Sequence, residues 1–347
     1  MGLEKASITA GVDDIDELDA SGLSREIESA AIASARLDAH VSGSSVRSAW
    51  STRAAWTGFS NALRLQGIEI DEIDVFSWGC GLTLPTRSRR MSHLDEFAPF
   101  APWNSSLTGK DGLLWRDRLP FTLPSASNDP LLLRAIDLVH RFARMDGTSA
   151  PWLALPLILQ GLGVTQSVLP CLVAGAKALR LRTNPSFEII RAIIRSITSA
   201  SVAGLQRLDH MQADHRRAVR AVAGEYRPGA LMPLAALIAA RPLLSPQSTA
   251  RALDLSIGGA GKLLARAADL DLLVEVSGRQ TWRLYLAPDL ARSFGFIPTP
   301  RGRPTKEPPA LPFDRSLSEA LAAFDREMAA IDRQLGATTA IDETNER

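Results

Sequence analysis

Asp209, His210, Asp214 and His215 are the residues best typed for metal ligation, and His210 and Asp214 stand four apart, the spacing that sets two donors on one helix face. One such pair is not a site, because a protein-held metal needs three or four ligands. Nothing nearby supplies them, so the cluster reads as a solvated charged face beside Arg216 and Arg217. Ser77-Trp78-Gly79-Cys80-Gly81 would present a thiol in a turn. No histidine or basic partner is set beside it to lower its pKa, and an inactivated thiol is a poor nucleophile. Neither a P-loop nor a Rossmann glycine pattern occurs. The chain therefore reads as a non-enzyme without metal or cofactor.

The basic residues tell more. Gly258, Lys262 and Arg266 recur every fourth residue, one row of a helix opposite an apolar face. A recognition helix presents such a row to the major groove of DNA. Ser256 stands where it can cap that helix. Arg279 and Arg283 follow at the tip and returning arm of an expected hairpin, within reach of phosphate or the minor groove. Thr299-Pro300-Arg301-Gly302-Arg303-Pro304 resembles an AT-hook. In such a segment the prolines keep the chain extended, the glycine admits the backbone to the groove floor, and Arg301 and Arg303 run along a narrow A·T-rich minor groove. These residues predict a double-stranded DNA partner.

The elements that must position them are legible between 229 and 296. Pro228-Gly229 stops a preceding helix, and Leu231, Leu234, Leu237 and Ile238 make a short one. Ser245-Pro246 is a cap and first-turn pair that opens a helix to Leu253. Asp254-Leu255-Ser256 turns the chain into a second helix running from Ile257 to about Leu270, with Ile257, Ala260, Leu263, Leu264 and Ala267 as its buried face. That is helix, short turn, helix. Leu272–Val276 and Gln280–Tyr285, joined across Ser277-Gly278-Arg279, predict a β-hairpin, which after a helix-turn-helix is a wing. Gly258, Gly259 and Gly261 each cost about 1 kcal/mol relative to Ala in a helix interior. Either close approach to DNA or a tight helix crossing would explain them.

The rest of the chain predicts a mainly α protein with a helical core. Region 1–127 is expected to hold helices at 24–40 and 46–66, an extended piece over Ile68–Phe76, and a long irregular segment from Gly79 to Pro124. Region 128–226 is a helical core, opened by Asp129-Pro130 and closed by a long amphipathic helix from Ser186 to Gly224. Gly147–Ala176 carries no charge, but its prolines and glycines divide it into two short buried helices rather than a membrane span. Region 298–347 is a basic Pro-rich linker and a last helix. In that helix Leu317, Leu321, Phe324, Met328, Ile331 and Leu335 alternate in steps of four and three, a seam for a homodimer or for docking on the body.

Bulk properties agree with a cytoplasmic DNA-binding regulator. The chain has 347 residues, 46% hydrophobic, and a net charge of +1, so any nucleic-acid surface must come from local clustering. Its two cysteines, Cys80 and Cys171, are not a disulfide framework. The start is acidic rather than a basic, apolar signal segment.

Two resemblances follow from particular residues. Arg53-Ala54-Ala55-Trp56, the run Leu65–Gly81 and the C-terminal helix-turn-helix resemble an uncharacterised rhizobial plasmid family, which pairs a domain of unknown function with a helix-turn-helix DNA-binding domain. Asp129–Phe142, Met145-Asp146-Gly147 and Leu155–Leu159 resemble the helices around the active loop of Fic proteins, often followed by a winged helix. The family's loop carries nucleotidyl transfer, and its His, Asn and Arg residues are missing here, where Thr148-Ser149-Ala150-Pro151-Trp152 follows Gly147. That resemblance implies a fold without its activity. The alternatives to a DNA regulator are therefore a Fic-like enzyme with altered chemistry and a protein-interaction adaptor built on the same winged module.

Overall fold

The computed structural model describes residues 10–84, 95–110, 114–123, 129–181, 183, 185–278 and 283–297. Among them the protein is mainly helical. The first eight α-helices among the described residues are α1 (Ala10–Ser42), α2 (Arg47–Gln66), α3 (Glu72–Gly79), α4 (Phe100–Leu107), α5 (Leu131–Met145), α6 (Ala150–Gly161), α7 (Phe187–Ala223) and α8 (Leu231–Ala240). No described helix is long and apolar enough to cross a membrane.

The long helices α1 and α7 run against each other, and α2 packs on both. The contact is tight at Gly204 of α7, where a Cβ would lie 3.1 Å from side-chain atoms of both Leu37 and Cys171. Trp50 of α2 fills the junction, and its indole N–H donates to the Gly204 carbonyl at 3.0 Å. A buried aromatic amine needs such a partner. The α1–α7 seam also holds a buried hydroxyl pair, Ser34 and Ser201, 3.1 Å apart.

Several expected elements differ. The first helix starts at Ala10 rather than at Ser24. The piece around Ile73, Val75 and Phe76 is not extended: these side chains are buried in α3. Its start signal is Asp71 and Asp74, with the Asp71 N–H donating to the Asp74 carboxylate at 3.3 Å. That local capping outweighs the β preference of Ile and Val, which depends on context. The segment after Gly79 contains α4 and a 3-10 turn at Trp115–Arg118. Phe97, Phe100 and Trp103 gather there on Phe59 and Trp78, with Trp78 and Phe97 stacked at 4.5 Å. Of the two uncharged helices only α6 forms. After it, the Asp38 carboxylate captures the backbone N–H groups of Gln166 and Ser167 at 2.5 and 3.2 Å. Leu169–Ala174 then run buried without helix, packed so closely that a Cβ on Gly58 would collide with the Pro170 carbonyl oxygen. With two amides held by a side chain from another helix, the turn at Gln166-Ser167 needs no helical bonds of its own.

Beyond α8 come β1 (Leu243–Leu244), α9 (Pro246–Leu253), α10 (Ile257–Asp269), β2 (Val274–Glu275), β3 (Tyr285–Leu286) and α11 (Pro288–Ser293). The strands form an antiparallel sheet in the order β1-β3-β2. Leu243 pairs with Leu286, and Leu244 with Tyr285. Alternation along a strand sends these pairs to opposite faces. Leu243 and Leu286 belong to the main core with α1–α7, while Leu244 and Tyr285 belong to a second cluster with Ala218, Val222, Leu231, Leu234, Leu264 and Ala267. One small sheet is thus shared by two hydrophobic clusters.

Candidate nucleic-acid interface

The turn between α9 and α10 is built from caps. Ser245 Oγ accepts from the Ser248 N–H at 3.1 Å and Pro246 occupies the first turn, so α9 starts where the sequence predicts. α9 ends on Asp254 in the left-handed region, φ 52°. Ser256 Oγ then accepts from the Gly259 N–H at 3.1 Å and starts α10. The serine's observed task is therefore capping.

α10 buries Ala260, Leu264 and Ala267. Ile257, expected on that face, is 61% exposed instead. It is the first helical residue and projects beyond the cluster that the following turns bury. The opposite face carries Gly258 and Lys262, both exposed, and Arg266, whose guanidinium pairs with Glu225 just beyond the end of α7. A Cβ added at Gly258 or Gly261 would meet nothing within 4 Å, and one at Gly259 would meet only the capping Ser256 hydroxyl. Tight helix packing therefore does not account for Gly258 or Gly261.

β2 and β3 form a hairpin, extended by a 2.9 Å hydrogen bond from the Val276 N–H to the Leu284 carbonyl. Arg283 is exposed on the returning arm. Arg279, the hook residues Arg301 and Arg303, and the seam from Leu317 to Leu335 lie outside the described residues. Of the expected site residues, Ser256, Gly258, Lys262 and Arg266 share one helix.

The fold gives two charged features a placement that the sequence reading, which puts Arg216 and Arg217 on a solvated face, does not supply. Arg216, Arg217 and Arg220 are exposed on the end of α7 whose Ala218 and Val222 pack in the cluster of α10. Their sequence signal was a charged run; its placement behind α10 required the fold. The second feature is buried. Arg53 of α2 donates to Asp289 at 2.9 Å, to the Ile238 carbonyl at 2.7 Å and to the Ala239 carbonyl at 2.9 Å. One guanidinium thus holds the C-terminal end of α8 and the start of α11.

The residues typed for catalysis are also placed. Burial pushes the Cys80 thiol up to about 11 and Cys171 up to about 12, so both stay protonated near neutrality. Burial, then the charge of Asp289, raises the Asp214 carboxyl, while Arg217 opposes at 3.0 Å. Asp209, His210, Asp214 and His215 form no group of three potential metal ligands among the described residues. The connection from α5 to α6 is Asp146-Gly147-Thr148-Ser149. Its Thr148 N–H donates to Asp146 at 2.7 Å, Gln66 donates to the Gly147 carbonyl at 2.6 Å, and Arg180 reaches the Thr148 carbonyl. No protein-family model matches the chain, and no curated protein matches it significantly.

Proposed function

We propose that the chain is a DNA-binding transcriptional regulator whose α9–α10 pair and β2–β3 hairpin are a winged helix-turn-helix. α10 enters the major groove, with Lys262 and Arg266 towards base edges and phosphates. Arg279 and Arg283 of the wing, and Arg301 and Arg303 of the linker, add backbone and minor-groove contacts. The observation that carries this reading is the outer face of α10. Gly258 and Gly261 face open space, where neither a turn nor a neighbour requires glycine, beside the exposed Lys262. Glycine weakens a helix, and close approach of another backbone is a reason to keep it.

The test is a salt titration on DNA selected by the full chain from a random pool. Lys262→Ala/Arg266→Ala should weaken binding by about 1–3 kcal/mol per side chain that reads a base edge, and lower the salt slope by about one for each phosphate no longer neutralised. A double variant with wild-type affinity and slope overturns the placement of α10 in the groove.

A further inference from the structure

A cleft whose lining includes no residue of α10 lies among the long helices. α2, α3, α7 and α11 enclose its volume of about 340 Å³, within the range of small-molecule sites. Its floor is apolar and buried: Trp50, Ala54, Phe76 and Leu290. Deeper polar groups are already satisfied. The Arg207 guanidinium reaches Glu72 through two hydrogen bonds, of 2.6 and 2.8 Å, and Thr57 donates to the same carboxylate at 2.7 Å. Burial pushes the Glu72 carboxyl up, but Arg207 outweighs it and holds the group below the usual carboxylate range. Arg53 is likewise neutralised by Asp289.

The mouth differs. Ser196, Ser199, Ala203 and Arg64 are exposed there, and the hydrogen bonds of Arg64 go to the neutral Ser60 and Asn61 side chains, at 3.3 and 3.0 Å. The cleft therefore has three guanidinium groups against two carboxylates; the Arg64 charge also acts on Glu72, and Arg64, Ser196 and Ser199 line the exposed rim. We infer that this cleft binds a small organic carboxylate, its anionic end on Arg64, Ser196 and Ser199 and its apolar body over Ala54 and Phe76. The internal ion pairs keep the deeper guanidinium groups from drawing the anion inward, so Arg64 orients it. Asp289 and Leu290 supply one wall from α11, so an occupied cleft adds a contact to a helix already held on the main core by Arg53 and Leu290. This inference does not depend on DNA binding.

The experiment uses the full chain with benzoate and hexanoate, and with benzamide and hexanamide as neutral counterparts, by titration calorimetry at millimolar ligand. At least one carboxylate should bind saturably and at least about tenfold more tightly than its amide, the worth of one charge-assisted hydrogen bond. Arg64→Gln should remove that preference. Ala203→Trp, at an exposed position on the cleft's rim, should block both forms, with the melting temperature of the variant checking that it folds. Hydrogen exchange should slow at 288–293 on binding. Absence of binding by all four compounds, equal affinity of acid and amide, or undiminished binding by Ala203→Trp each overturns the inference.

Discussion

Replacing Gly261 by alanine separates the demands of the helix from those of a partner. Gly261 lies inside α10, which runs Ile257–Asp269, and a Cβ there meets nothing within 4 Å. The methyl group therefore brings no clash, and alanine loses less backbone entropy on folding. The expected gain is about 1 kcal/mol. In a unit of this size that raises the melting temperature by about 2 °C. Binding should move the other way. If DNA comes within van der Waals distance of the α10 backbone, the added methyl must displace it. Forcing an extra methyl into a packed contact costs about 1–3 kcal/mol, a rise in Kd of about five- to 150-fold. Thermal denaturation and anisotropy titration on one preparation measure both effects. A variant that is stabilised and binds as wild type refutes close approach at this face. A variant that is not stabilised refutes the open-space reading itself.

Glu225→Gln should tighten DNA binding and steepen its salt slope by about one, because Glu225 occupies the Arg266 guanidinium that phosphate would otherwise take; unchanged slope at higher salt counts against Arg266 as a contact. Glu72 is held below its ordinary value of 4.5, so its stabilising contribution is present above that value and lost as pH falls through the lowered pKa. Glu72→Gln should accordingly cost about 3 kcal/mol at neutral pH by stranding Arg207, and the gap to wild type in urea denaturation should narrow as pH falls below 4.5 and through the lowered pKa. Arg301→Ala/Arg303→Ala should lose affinity on A·T-flanked sites and little on G·C-flanked ones at one fixed salt concentration. An equal loss on both flanks would remove the minor-groove hook.

Legibility followed the range of the interactions. α2, α5, α7, α8, α9 and α10 were readable because their stops and starts are local: Pro228-Gly229, Ser245-Pro246, Ser256 and the apolar spacing between them. The hairpin was readable for the same reason, from Gly278 between two apolar runs. The errors occur where a distant group decides. Residues 164–176 are helical by composition, yet Asp38, from α1, takes the amides of Gln166 and Ser167 at the point where a second helix would start. Ile73–Phe76 carried β-prone residues, and a cap two positions upstream made them helical. Ile257 fitted the apolar face by spacing, but periodicity does not say where the neighbouring cluster ends.

The buried charges were the least legible part, and they change how the proposed DNA-binding unit is understood. Arg53 and Asp289 are separated by almost the whole described chain, as are Leu37 and Gly204 by much of it, so no local pattern announces either contact. A buried ion pair adds little net stability over apolar side chains of similar shape. What it adds is geometric demand: Arg53 accepts only the arrangement that brings Asp289 and two α8 carbonyls to its donors at once. The sheet imposes a matching demand, because a one-residue slip would exchange Leu243 with Leu244 and Leu286 with Tyr285 between the two clusters. α10 is fixed to this frame by Leu264 and Ala267. Its outer face is therefore positioned by contacts made on its inner one. A helix so positioned, with a bare glycine-bearing face, suits the proposed duplex partner, whose backbone must come close to it.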